Sequence, residues 1–100
     1  MNKDVKDYRK RADIIKALAH PTRLFIVDKL ADGELCVCKL TGLIGSDMST
    51  VSKHLLVLKN AGIVEDDKRG LQVFYTLKCP CILDFLECSE KVISSKKNSL

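Results

Sequence analysis

Leu35–Val64, LCVCKLTGLIGSDMSTVSKHLLVLKNAGIV, holds two short amphipathic helical patterns separated by Gly45-Ser46-Asp47. The first, Leu35 to Ile44, puts Leu35, Leu40, Leu43 and Ile44 on or near one side. In the second, Val51, Leu55, Leu58 and Gly62 follow i, i+4, i+7, i+11, one stripe of a buried helix. Asp47 fits an N-cap and Gly62 a stop. Opposite the stripe lie Ser49, Ser52, Lys53 and Asn60, with Thr50 and His54 on its flanks. Hydroxyls, an amide and a cation are groups that bond base edges or phosphates. Helix, tight turn and a second helix with a polar outer face is the pattern of a helix-turn-helix DNA reader, although any amphipathic helix has a polar face.

The next stretch narrows the choice. Ile63–Lys68, the turn at Arg69-Gly70, and Leu71–Leu77 alternate as a β-hairpin with a basic tip. A hairpin directly after a helix-turn-helix is a wing, which lays Lys68 and Arg69 along phosphates. The pieces ALAHPTRLFIVDKL (17–30), GELCVCKL (33–40) and MSTVSKHLLVLKNAGIVEDDKRGLQVFYTL (48–77), in that order, resemble the ArsR/SmtB metalloregulatory repressors over most of the chain. The resemblance implies a winged helix-turn-helix: mainly α, about five helices and a small hairpin wing. It also implies a homodimer built from the first and last helices, bound to double-stranded operator DNA with an inverted repeat.

One hundred residues allow one domain, spanning 1–100, and a chain so short often gains by oligomerising. A net charge of +4 is compatible with nucleic acid without requiring it. No apolar run approaches the ~20 residues of a membrane span, and MNKDVKDYRKRADII has no signal-peptide core, so the expected location is the cytoplasm. Val5 to Leu18 reads as a first helix, with a stripe of Tyr8, Ala12, Ile15 and Ala19 suited to a dimer surface. His20-Pro21 ends it and opens a helix to Leu30 that buries Leu24, Phe25, Val27 and Leu30; His20 suits a capping or packing role. A last helix runs from Pro80 to about Ile93, and 94–100 reads as a frayed polar tail.

The cysteines carry the remaining chemistry. Five in a chain without an export signal favour thiols, metal ligands or redox sensors over structural disulfides, and an odd number cannot pair completely. Cys36-Val37-Cys38 falls in the expected first helical turn, where unpaired N–H groups favour a negative ligand and distortion costs least. Positions i and i+2 on a regular helix point about 200° apart, so both thiolates meet one ion only if the backbone there is frayed or extended. Glu34-Leu35-Cys36-Val37-Cys38 matches the ELCVC box of the family's arsenite and cadmium/lead sensors. The sequence departs from both: Thr41 stands where arsenite sensors have a third cysteine, and residues 1–35 hold none of the arm cysteines of cadmium/lead sensors. Further donors are sought at Cys79, Cys81 or Cys88, in a non-thiol group, or on the other subunit. Cys79 and Cys81 align with the first two ligands of the family's last-helix zinc site, whose partner positions here are Val92 and Ser95.

The expected function is a repressor released from its operator by a thiophilic ion on Cys36, Cys38, Cys79 and Cys81. Arsenite or antimonite is the first choice, with cadmium, lead or zinc second, since soft sulfur selects soft ions. Ser49, Thr50, Ser52, Lys53 and His54 would meet the major groove, with Lys68, Arg69 and Gln72 along the backbone. The competing reading keeps the DNA-binding module and uses the cysteines as a thiol redox or reactive-sulfur switch. An enzyme is not expected: there is no phosphate loop, no paired-carboxylate constellation, and only two histidines. No organic cofactor is expected.

Overall fold

The computed structural model describes residues 4–98. A 3-10 turn, Val5–Tyr8, leads into α1 (Arg9–Leu18), then α2 (Pro21–Lys29), a 3-10 turn at Leu30–Asp32, β1 (Leu35–Cys36), α3 (Val37–Ile44) and α4 (Met48–Asn60). The hairpin β2 (Val64–Arg69) and β3 (Gln72–Leu77) precedes α5 (Ile82–Asn98). The architecture is the expected mainly helical winged helix-turn-helix with five α-helices. One element was not legible: β1 pairs antiparallel with β3, Leu35 opposite Tyr75 and Cys36 opposite Phe74, giving a three-stranded sheet of order β1-β3-β2.

Local chemistry sets the helix ends. His20, extended at φ −154°, ψ 133°, accepts the Thr22 N–H on Nδ1 at 3.1 Å, and Pro21 opens α2 with no N–H to leave unpaired. Asp47 caps α4 through Oδ1, which accepts the Thr50 N–H at 2.8 Å. At the other end Gly62 takes φ 80°; its N–H reaches the Lys59 carbonyl at 3.0 Å and the Ile63 N–H reaches the Leu58 carbonyl at 3.0 Å. That pair of bonds is a Schellman motif, and its apolar clasp is Leu58 against Ile63, both in the core. In the wing, Arg69 faces Gln72 across a two-residue loop whose first member, Gly70, has φ 62°, the type II′ geometry that matches strand twist.

The core gathers Ile26, Val27, Leu40, Val51, Leu55 and Leu58, all fully buried, with Ile63, Val64 and Tyr75 sealing the sheet side. Each such aliphatic side chain contributes about 1.5–3 kcal/mol relative to exposure. The stripe Val51, Leu55, Leu58 thus holds α4 by its inner face and leaves the outer face free.

Four expectations need correction. The helix expected over Leu35–Ile44 begins at Val37, because the pairing of Leu35 and Cys36 with β3 takes up their backbone. In α2 Leu24 and Phe25 are only partly buried, while Ile26 is fully buried. The last helix starts at Ile82 rather than Pro80. The tail expected to fray continues α5 to Asn98: residues 82–98 contain neither Gly nor Pro, and Lys96 and Lys97 in the last turn suit the dipole. Residues 99–100 of that tail lie outside the described residues.

Candidate nucleic-acid interface and thiol positions

The outer face of α4 is open. Ser49, Thr50, Ser52 and Lys53 are all exposed. Ser49 Oγ also donates to Asp47 Oδ1 at 3.4 Å, so the cap and the outer face share a carboxylate. Hydrogen bonds from Thr50, then from Ser49, and the nearby Lys53 charge hold the Asp47 carboxyl below its ordinary value.

His54 is placed differently from its neighbours. It is partly buried, with its ring centroid 4.4 Å from that of His20 and its Nδ1 3.2 Å from Arg23 Nη1. Arg23 also donates to the Ala17 carbonyl at 2.6 Å and the Lys16 carbonyl at 3.4 Å, so it ties α1, α2 and α4 together. Because a guanidinium only donates, Nδ1 accepts and the neutral ring carries its proton on Nε2. Burial first, then His20 and Arg23, lowers the His54 pKa from 6.5. The side chain expected in the groove thus also joins α4 to His20 and Arg23 at the flank of the helix.

Arg69, expected along the DNA backbone, has carboxylate partners within the chain. Its Nη1 and Nη2 each donate to a Glu34 carboxylate oxygen at 2.7 Å, and its Nε donates to Asp67 at 2.8 Å. The guanidinium carbon lies 4.6 Å from the centroid of Phe74. Two carboxylates already compensate this charge, and Glu34 and Asp67 together push the Arg69 pKa up. Glu34 is correspondingly lowered. Lys68 and Gln72, also expected along the DNA backbone, are exposed. Lys59, by contrast, is paired with Asp66 at 3.0 Å.

All five cysteines are free thiols. Cys36 is the N-cap of α3, extended at φ −80°, ψ 159°, and its Sγ accepts the Lys39 N–H at 3.4 Å. Cys38, one residue into α3, is exposed. The extended backbone that a C-x-C clasp requires is therefore present at Cys36. Cys79 lies at the far end of β3, its Sγ 3.8 Å from the Gly62 carbonyl, and Cys81 and Cys88 are exposed. Cys36 pairs with Phe74, and Leu77, still two residues short of Cys79, is already about 10 Å further along β3. The two C-x-C pairs are thus held apart within one chain. Among the described residues no three His, Cys, Asp or Glu side chains are gathered closely enough to hold an ion. Thr41, at the position of the family's third cysteine, buries its Oγ1 without a hydrogen-bond partner.

Sequence reasoning missed Arg23 and Glu34. Their partners lie 31 and 35 residues away, and no local spacing signals such pairs.

The sequence and the fold are similar to those of known proteins. The description "Bacterial regulatory protein, arsR family" matches residues 20–66. An uncharacterized HTH-type transcriptional regulator of Methanocaldococcus jannaschii is 44% identical over 72 residues, covering 71% of this chain and 81% of that protein. A cadmium resistance transcriptional regulatory protein CadC homolog of Staphylococcus aureus is 41% identical over 83 residues, 77% of this chain and 69% of the relative. The homodimeric winged helix-turn-helix DNA-binding domain of Mb0332 from Mycobacterium bovis has a TM-score of 0.80 at 28% identity, covering 99% of this chain and 94% of that one. Reduced HlyU from Vibrio cholerae has a TM-score of 0.74 at 33% identity, covering 81% of this chain and 88% of that one.

Proposed function

The chain belongs to the arsR family of bacterial regulatory proteins, whose members are DNA-binding regulators and not enzymes, and from that premise we propose a homodimeric repressor released by a thiophilic ion. The observation that carries DNA binding is the outer face of α4, open at Ser49, Thr50, Ser52 and Lys53 and followed at once by a wing bearing Lys68 and Gln72. A two-fold dimer presents two such helices to an inverted repeat with half-sites about one helical turn apart. The resemblance to a homodimeric winged helix-turn-helix domain supports the assembly. The cytoplasm is the proposed location.

Ion sensing rests on Cys36 and Cys38, at the junction of β1 and α3. Thiolates there select arsenite, antimonite, cadmium or lead over hard ions. The cadmium-resistance relative supports the cadmium arm of that choice. One chain offers two donors at this junction, so the remaining ligands come from the other subunit, from the Cys79/Cys81 pair after rearrangement, or from solvent. Drawing Cys36 and Cys38 together would unseat the cap of α3, the helix packed against α4, and so disturb the reading head.

Titrating arsenite, cadmium, lead and zinc against the DNA complex tests this. The complex should dissociate with one class of soft ion, with sulfur-to-metal charge-transfer absorption appearing in step. Cys36→Ser should keep operator affinity within about twofold and lose the release. If soft ions leave the complex intact and no such bands form, ion sensing fails and the repressor reading stands. A second reading, a thiol redox switch, is favoured by five free thiols and by the likeness to HlyU solved in its reduced form. It predicts release by peroxide or polysulfide and recovery with dithiothreitol, with no ion bound.

A further inference from the structure

The outer face of α4 has an apolar centre. Ser49, Ser52, Lys53, Leu56 and Asn60 follow i, i+3, i+4, i+7, i+11, one continuous stripe on the side away from Val51, Leu55 and Leu58. All five are exposed, and Leu56 has 53% of its surface open. One turn before it stand Ser52 and Lys53; one turn after it stands Asn60. An isolated surface leucine needs no explanation. This one is surrounded by hydrogen-bonding groups on the helix face assigned to the major groove, so docking there removes it from water together with whatever it meets.

What it meets is constrained by chemistry. In the major groove base pairs present donors, acceptors and a single kind of apolar group, the C5-methyl of thymine. Leucine against a donor or acceptor would leave that edge dry and unpaired, which is unfavourable. Against a methyl group it gains. Resting on the reading that α4 enters the major groove, we propose that Leu56 is a specificity-determining residue that packs on the C5-methyl group of one thymine in each half-site. Ser52, Lys53 and Asn60 then bond the polar edges and phosphates around that thymine, and Leu56 fixes which base stands among them.

The test uses the full chain and DNA duplexes alone. Sites are selected from a random pool, and each thymine of the recovered sequence is replaced in turn by deoxyuridine, which differs only in lacking the methyl group. One symmetry-related thymine should lose about fourfold in affinity per half-site, roughly fifteenfold for both, the value of one buried methyl. In Leu56→Ala that penalty should disappear while penalties at other thymines persist. Leu56→Gln should select a different base at the same position, with an unchanged melting temperature. A methyl penalty that survives in Leu56→Ala, the absence of any such thymine, or a loss of dimer by light scattering in Leu56→Ala would each overturn the proposal and leave DNA binding standing. Failure of the wild-type chain to select any DNA would remove both.

Discussion

Arg69 and His54 show how single side chains can be legible in type and illegible in role. The sequence marks both as groups that touch DNA, because one sits at a wing tip and the other on the reading helix. Both also have partners in the chain, Arg69 in Glu34 and Asp67, and His54 in Arg23 and His20. Arg69→Ala should accordingly change the salt dependence of DNA binding very little. Glu34→Gln should free part of the guanidinium and steepen the slope of log K against log salt, by up to about 0.9 per added phosphate contact. Anisotropy titrations at four salt concentrations decide this; a flatter slope in Arg69→Ala would restore the phosphate role. For His54 the folded pKa lies below the unfolded value of 6.5, so the unfolded chain binds the extra proton as pH falls. Its contribution is fully present above about pH 6.5 and is lost as pH drops below it. The urea midpoint should fall between pH 7.5 and 5.5, and fall less in His54→Phe. Glu34 and Asp47, held low, release their contributions only at more acid pH.

The helices of the reading unit follow from periodicity and caps: the Val51, Leu55, Leu58 stripe, the Asp47 cap and the Gly62 stop are all where their spacing puts them. The two-residue β1 is different in kind. Nothing in Leu35-Cys36 distinguishes a strand from a first helical turn, and the choice is made by β3, almost forty residues later. The same pairing sets the geometry at Cys36 and Cys38, because it holds Cys36 extended. At the other end of α4, Gly62 has open space around a built Cβ, so only its φ of 80° resists substitution. Gly62→Ala should therefore cost about 1–2 kcal/mol, the penalty for a left-handed alanine, without loss of core packing. Equilibrium urea denaturation measures it, and an unchanged midpoint would mean that the Schellman closure is not held.

Taken whole, the chain is spread out. Its radius of gyration is 15.5 Å, against about 13 Å for a compact chain of this length, and its extents are 47 × 38 × 22 Å. Helix α5 is about 26 Å long and leaves Phe85, Val92 and Ile93 in the open, while the first 3-10 turn and α1 do the same with Tyr8 and Ile15. Those two faces are the ones assigned to the subunit contact. A charge at Ile15 or Phe85 should move the dimer toward monomer by tenfold or more and weaken operator binding steeply, with light scattering at micromolar protein as the measure. The apolar stripes were plain in the sequence, whereas their division was visible only once the other helices were in place: Ile82 and Leu86 pack on the core, while Phe85, Val92 and Ile93 stay exposed among the described residues.

The order β1-β3-β2 leaves the sheet with two unpaired rims. One is two residues long, too short to recruit a neighbouring strand. The other, β2, is six residues long, and the backbone groups of its alternate residues point outward, the kind of template on which strands from other molecules add and fibrils grow. Five of those six, Glu65 to Arg69, are ionisable, and they keep that rim hydrated on both faces. Charged side chains along an open rim oppose the addition of a further strand, so this run of charge keeps neighbouring copies from pairing through the wing.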